Sequence, residues 1–242
     1  MGRSKDSIHK KAEKLGLKSF INSRITVFYN ENYFKTPTLE NSYWAGLLAA
    51  DGCVDNKRNT LSIDLAEKDR NLLEKLKVAT KYSGDLKIYN NNISYETDQK
   101  RIRLCFNHAA KFNKDLFSHF SIMPRKSLTF EYPKLKNKKL IKAFLIGFID
   151  GDGCISVNKN GNKLYLKIAV TSGLGNWLNY ILPMLYGIKQ MKLTSRGKIF
   201  YYALSDRTAL KVLNDLNKIN VPKLLRKWNN LKIYNKHVLK SH

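Results

Sequence analysis

The chain has 242 residues, enough for one or two domains with a buried core, and its 43% hydrophobic content excludes intrinsic disorder. Forty-four Lys and Arg against 19 Asp and Glu leave a net charge of +25, a self-repulsion that points to a polyanionic partner, nucleic acid above all. No apolar run approaches the ~18 residues of a membrane span, and the polar N-terminus does not read as a signal peptide. Cys53, Cys105 and Cys154 lack the spacing of a disulfide framework or a zinc site, so reduced thiols in an intracellular protein are expected.

Residues 1–40 form a basic, polar lead segment. Its stretch HKKAEKLGLKSFINSRI begins with helical spacing, Ala12 and Gly16 four apart, but puts Asn22 where a packed apolar side chain belongs. A DNA-binding arm and a solvated helix both fit it. The segment YFKTPTLENS then supplies a proline and capping residues ahead of an apolar nonamer, WAGLLAADG, at 44–52. After it, CVDNKRNTLSIDLAEKD predicts two short strands around a polar turn. DRNLLEKLKVAT predicts a helix with Leu72, Leu73 and Leu76 on one face. A second strand pair follows, in which Ile102, Leu104 and Phe106 alternate with Arg101, Arg103 and Cys105. The helix AAKFNKDLFSHF, the segment SIMPRKS and a charged linker, EYPKLKNKKL, complete this half.

The second half repeats the order. A nonamer, LIGFIDGDG at 145–153, leads into CISVNKNGNKLYLKIAVTS, where Leu164, Leu166, Ile168 and Val170 are expected to face the core, leaving Lys163, Tyr165 and Lys167 outside. The helix NWLNYILPMLYG is expected to be kinked or shortened by Pro183. A hairpin over QMKLTSRGKIFYYALS, the helix DRTALKVLNDLNKI and VPKLLRKW follow. Asp152 lies 101 residues after Asp51, and Arg226-Lys227 lies 101 after Arg125-Lys126, so each Asp precedes its lysine by 75. Such matched landmarks predict a duplicated αββαββα unit. The expected fold is α+β, with a lead segment at 1–40 and repeats at 41–135 and 136–242.

Gly46 and Ala50, like Gly147 and Gly151, stand four apart and so share one helical face that permits close backbone approach. Asp51 and Asp152 end these helices, each followed by glycine in the usual capping position. A negative charge there opposes the helix dipole, and parallel pairing of the helices would bring the two carboxylates together. A divalent cation converts both penalties into attraction, and Mg²⁺ prefers oxygen ligands. Carboxylate-held metal on a basic protein suggests phosphodiester hydrolysis, in which Lys126 and Lys227 are candidates to stabilise transition-state charge.

With their matching downstream RKS and RKW segments, the nonamers resemble the two motifs of single-chain LAGLIDADG homing endonucleases, and the resemblance runs from about residue 41 to the end. It implies that Asp51 and Asp152 are metal-binding catalytic acids, with the carbonyls of Ala50 and Gly151 as further ligands. Lys126 and Lys227 match the family's basic position, and Glu67 and Ser172 fall where it carries a water-organising polar residue. Because these last two differ, the half-sites are expected to be chemically unequal. Ala49 replaces the acid found at Asp150, and Asp150 is expected to be dispensable. The resemblance also implies two antiparallel sheets forming a saddle over a long, asymmetric duplex, Mg²⁺ or Mn²⁺ as cofactor, short 3′ overhangs and a monomer. Candidate DNA contacts are Lys57, Arg58, Arg101, Arg103, Lys163, Tyr165, Lys167, Lys192, Arg196 and Lys198, suited to phosphates and base edges. An intron-RNA-binding maturase and a DNA-binding protein without cleavage are the alternatives.

Overall fold

In a computed structural model, residues 27–90, 100–161, 163–172, 177–190, 194–196 and 199–240 are described. The first repeat runs α1 (Leu39–Asp51), β1 (Gly52–Asp55), β2 (Thr60–Ala66), a 3₁₀ turn (Glu67–Asp69), α2 (Arg70–Ala79), β3 (Lys87–Asn90), β4 (Lys100–Phe106) and α3 (Ala110–Phe120), followed by the short α4 (Lys126–Thr129). The second runs α5 (Lys138–Asp152), β5 (Gly153–Asn160), β6 (Lys163–Ser172), α6 (Leu178–Tyr186), β7 (Thr194–Arg196), β8 (Ile199–Ser205), α7 (Asp206–Asn217) and α8 (Leu225–Lys240). Two four-stranded antiparallel sheets result, ordered β1-β2-β4-β3 and β5-β6-β8-β7. The identical order bears out the duplicated unit.

Alternation decides the two faces of each sheet. Leu61, Ile63, Ile102, Leu104 and Phe106 are buried under α1–α3, and Leu166, Ile168, Val170, Tyr202 and Leu204 fill the second core. The opposite faces carry Ser62, Asp64, Arg101 and Arg103 in one sheet and Tyr165, Lys167 and Tyr201 in the other. Pro183 does not break α6: the helix passes through it and ends three residues later, where the Gly187 N–H donates to the Pro183 carbonyl.

The lead segment divides differently from expectation. Phe34 is fully buried edge-on to Phe112 and Phe120, and Tyr29 stacks edge-on to Phe106. Residues 27–38 therefore pack on the first repeat's core, and a boundary at 40 would cut through it. Thr38 caps α1 reciprocally with Asn41, whose amide also donates to the Tyr33 and Thr36 carbonyls at 2.8 Å. The stretch HKKAEKLGLKSFINSRI, which fits a DNA-binding arm, lies outside the described residues.

The halves meet along α1 and α5. A methyl group at Gly46 would stand 1.9 Å from the Phe144 carbonyl oxygen, and one at Gly147 1.9 Å from that of Tyr43. Backbone against backbone, the two glycines set the closeness of the pair. The terminal glycines act differently from the expected cap. Gly52 and Gly153 have φ of −75° and −91°, open to any residue, yet a Cβ there would sit 2.5 and 2.6 Å from the Leu48 and Ile149 carbonyl oxygens. Space, not left-handed backbone, demands glycine.

Candidate active site and nucleic-acid interface

Asp51 and Asp152 are the last residues of α1 and α5. At Gly151 a Cβ would come 2.3 Å from the Ala50 Cβ and 3.1 Å from the Asp51 Oδ2, so the two helix ends abut where the carboxylates stand. Burial, and then the Asp152 charge, push the Asp51 carboxyl up to about 6, against the pull of Lys227, Lys126 and Arg101. Burial also raises Asp152, opposed by a short hydrogen bond donated by Ser172 and by the charges of Lys126 and Lys227.

Both lysines reach carbonyls at these helix ends, the negative pole of each dipole. Lys126 Nζ donates to the Ala50 oxygen at 2.8 Å. Lys227 Nζ donates to the oxygens of Ile149, Asp150 and Gly151 at 3.1, 2.6 and 2.9 Å. Burial lowers the pKa of each ammonium, and the neighbouring carboxylates oppose that shift. The structure thus gathers Asp51, Asp152, Lys126, Lys227, Ser172 and the carbonyls of Ala50 and Gly151 in one place.

Glu67 departs from this pattern. Gly52 pairs with Ile63 and Gly153 with Val170, so the first-repeat counterpart of Ser172 is Leu65. Glu67 opens the 3₁₀ turn beyond it, and no hydrogen bond or ion pair joins it to Asp51 among the described residues. Lys57 and Arg58 occupy the β1–β2 turn, where their N–H groups donate to Asp55, rather than a sheet face.

Arg101 and Arg103 lie on the outer face of β4. Arg103 forks onto Asp64 at 2.6 and 2.8 Å and lies 5.0 Å from the Tyr89 ring centre, while Arg101 donates to the Asp64 carbonyl at 2.8 Å. Lys163, Tyr165 and Lys167 lie along the outer face of β6, with Lys167 Nζ 5.3 Å from the Tyr201 ring centre. Arg196 is in β7; Lys192 and Lys198 lie outside the described residues.

A family model for the LAGLIDADG-like domain matches residues 38–107, and one for the LAGLIDADG endonuclease matches residues 145–233. The chain belongs to the LAGLIDADG family. Its fold as a LAGLIDADG protein is similar to three solved structures. The meganuclease I-AabMI bound to uncleaved DNA has a TM-score of 0.53 at 16% identity, over 83% of this chain and 91% of that one. I-SmaMI bound to uncleaved DNA with calcium ions has a TM-score of 0.56 at 15% identity, over 84% and 92%. I-WcaI bound to its recognition sequence has a TM-score of 0.56 at 16% identity, over 90% and 97%. A Methanocaldococcus jannaschii protein of uncharacterised function is 25% identical over 144 residues, which cover 56% of this chain. Those residues are 49% of that protein, so this chain spans about half the length of that relative.

Within this LAGLIDADG site, Asp150 has structural partners that its replacement by Ala49 in the first motif did not suggest. It is buried and accepts hydrogen bonds from Tyr43 Oη, the Leu224 N–H and Trp228 Nε1, each at 2.8 Å. Burial raises its pKa, and the three donors oppose the rise. Asp69 and Arg226 form a second connection, a fork at 2.8 and 2.8 Å across the repeats. A carboxylate within a buried nonamer and an aromatic directly after the Arg-Lys pair were the available sequence signals, but neither named its partner.

Proposed function

We propose that the chain is a site-specific homing endonuclease that makes a double-strand break in a long, asymmetric DNA target and leaves short 3′ overhangs. The observation that carries this is the meeting of Asp51 and Asp152 at abutting helix ends, between two sheets whose outer faces are basic and polar. With one carboxylate and one lysine from each repeat, a single chain holds two half-sites and acts as a monomer.

The residues fit a hard divalent cation such as Mg²⁺ or Mn²⁺. Among the described residues no group of three or more His, Cys, Asp or Glu side chains converges, which argues against a closed zinc-type centre. Two carboxylates plus the carbonyls of Ala50 and Gly151 suit a cation that keeps waters and takes phosphate oxygens. Each carbonyl oxygen has two lone pairs, so bonding to a lysine does not exclude it. When bound, the cation supplies a polarised phosphoryl oxygen and an acidified attacking water.

The protein's own contribution is placement. Asp51 and Asp152 provide negative charge that burial leaves poorly solvated. Lys126 and Lys227 hold positive charge beside it, where the phosphate gains negative charge in the transition state. Ser172 fixes the Asp152 carboxylate. The sheets would straddle the duplex, with Arg101, Arg103, Lys163, Tyr165 and Lys167 against phosphates and base edges.

The test is incubation with Mg²⁺ and the uninterrupted form of the sequence that flanks the gene. Two staggered cuts that vanish in EDTA are expected. Intact DNA bound at nanomolar concentration would instead indicate a binding protein.

A further inference from the structure

The two catalytic lysines are held very differently. Lys126, also buried, opens a four-residue helix, and among the described residues its ammonium makes one hydrogen bond, to the Ala50 carbonyl. Lys227 lies in the first turn of the sixteen-residue α8, and its ammonium is within hydrogen-bond distance of three carbonyls in the last turn of α5. Its neighbours on both sides are fixed as well. Leu224 and Trp228 donate to the buried Asp150 carboxylate, which also accepts from Tyr43 of the other motif helix. Arg226 forks onto Asp69, a buried carboxylate of the first repeat.

A buried carboxylate survives folding only if donors replace its water, so each acid is a costly group kept for what it holds. What both hold is the first turn of α8. The first half-site lacks the inner connection, because Ala49 stands where Asp150 does.

We propose that Asp150 and Asp69 are positioning residues for Lys227, and that this clamp makes the two half-sites unequal: one strand of a duplex is cut at a centre whose lysine is held through Asp150 and Asp69, the other at a centre whose lysine has no counterpart of Asp150. This deepens the endonuclease reading and rests on it. Displacing a held charge by about 1 Å costs on the order of 100-fold in rate, so loss of the clamp slows one strand and spares the other.

The experiment uses the full chain and a duplex selected from a random-sequence pool for binding in Ca²⁺, end-labelled on either strand and cut in Mg²⁺. Lys227→Met identifies the strand served by Lys227. Asp69→Asn and Asp150→Asn are expected to slow that same strand about tenfold or more, with the other strand and the Ca²⁺ affinity within about twofold. Amide exchange at Leu224 should quicken in Asp150→Asn, a readout independent of cutting. Should Asp150→Asn fail to fold, Asp69→Asn, whose partner is half-exposed, decides the matter alone. Equal slowing of both strands, or slowing of the strand that Lys227→Met spares, overturns the clamp but leaves the nuclease reading standing. A wild-type chain that cuts no selected duplex overturns both.

Discussion

Asp51 is a charge placed against the chain's stability. It ends a helix; withdrawal from water, and then the neighbouring Asp152 carboxylate, push its pKa from 3.8 to about 6 against the pull of Lys227, Lys126 and Arg101. A folded-state pKa above the unfolded one means that the folded chain holds the proton more tightly. This group's contribution to metal-free stability is therefore fully present below about 4 and is lost as pH rises from about 4 to about 6. That is the opposite sign to a carboxylate in a stabilising ion pair. Asp51→Asn should accordingly raise the melting temperature of the EDTA-treated chain at pH 7 by about 2–4 °C, equivalent to about 1 kcal/mol. Differential scanning fluorimetry with and without EDTA reads it, and an unchanged or lowered Tm in EDTA contradicts the account. The acids were legible because an unfavourable charge occurs twice at one spacing. Asp150 was not: its value lies in Tyr43 and Trp228, distant in sequence, and its absence from one copy looked like dispensability.

At the scale of elements, glycine spacing in the nonamers announced the helix pair, and strict alternation announced the sheets. Local rules failed where position along an element or strand register decided. Pro183 lies inside α6, which continues for three residues beyond it, and Ser172 corresponds by register to Leu65 rather than Glu67. The packing claim has its own test. Gly147→Ala puts a methyl 1.9 Å from a carbonyl oxygen that cannot move without its helix. We expect a loss of about 3 kcal/mol or more in urea unfolding, at or beyond the usual range for overpacking. Gly161→Ala, with nothing within 4 Å but φ of +57°, should cost about 1 kcal/mol through backbone strain alone. Similar losses at both positions would mean that the helices do not meet backbone to backbone.

For the whole molecule, a charge of +25 is a liability unless a polyanion neutralises it. Arg101, Arg103, Lys163 and Lys167 on the outer faces of the sheets put part of that charge where a duplex would lie. Binding that uses about six or more phosphate contacts should weaken by about 1000-fold between 50 and 200 mM salt. Fluorescence anisotropy in Ca²⁺ measures this, and a flat dependence would remove phosphate contacts from the account.

Cleavage is the more direct measure of what the paired carboxylates do. Asp51→Asn and Asp152→Asn, assayed separately on a supercoiled plasmid carrying the bound target, should each abolish the double-strand cut while keeping affinity in Ca²⁺ within about tenfold of wild type, the range expected of a group that acts mainly in the transition state. Full linearisation of the plasmid by either variant would contradict the assignment of the site.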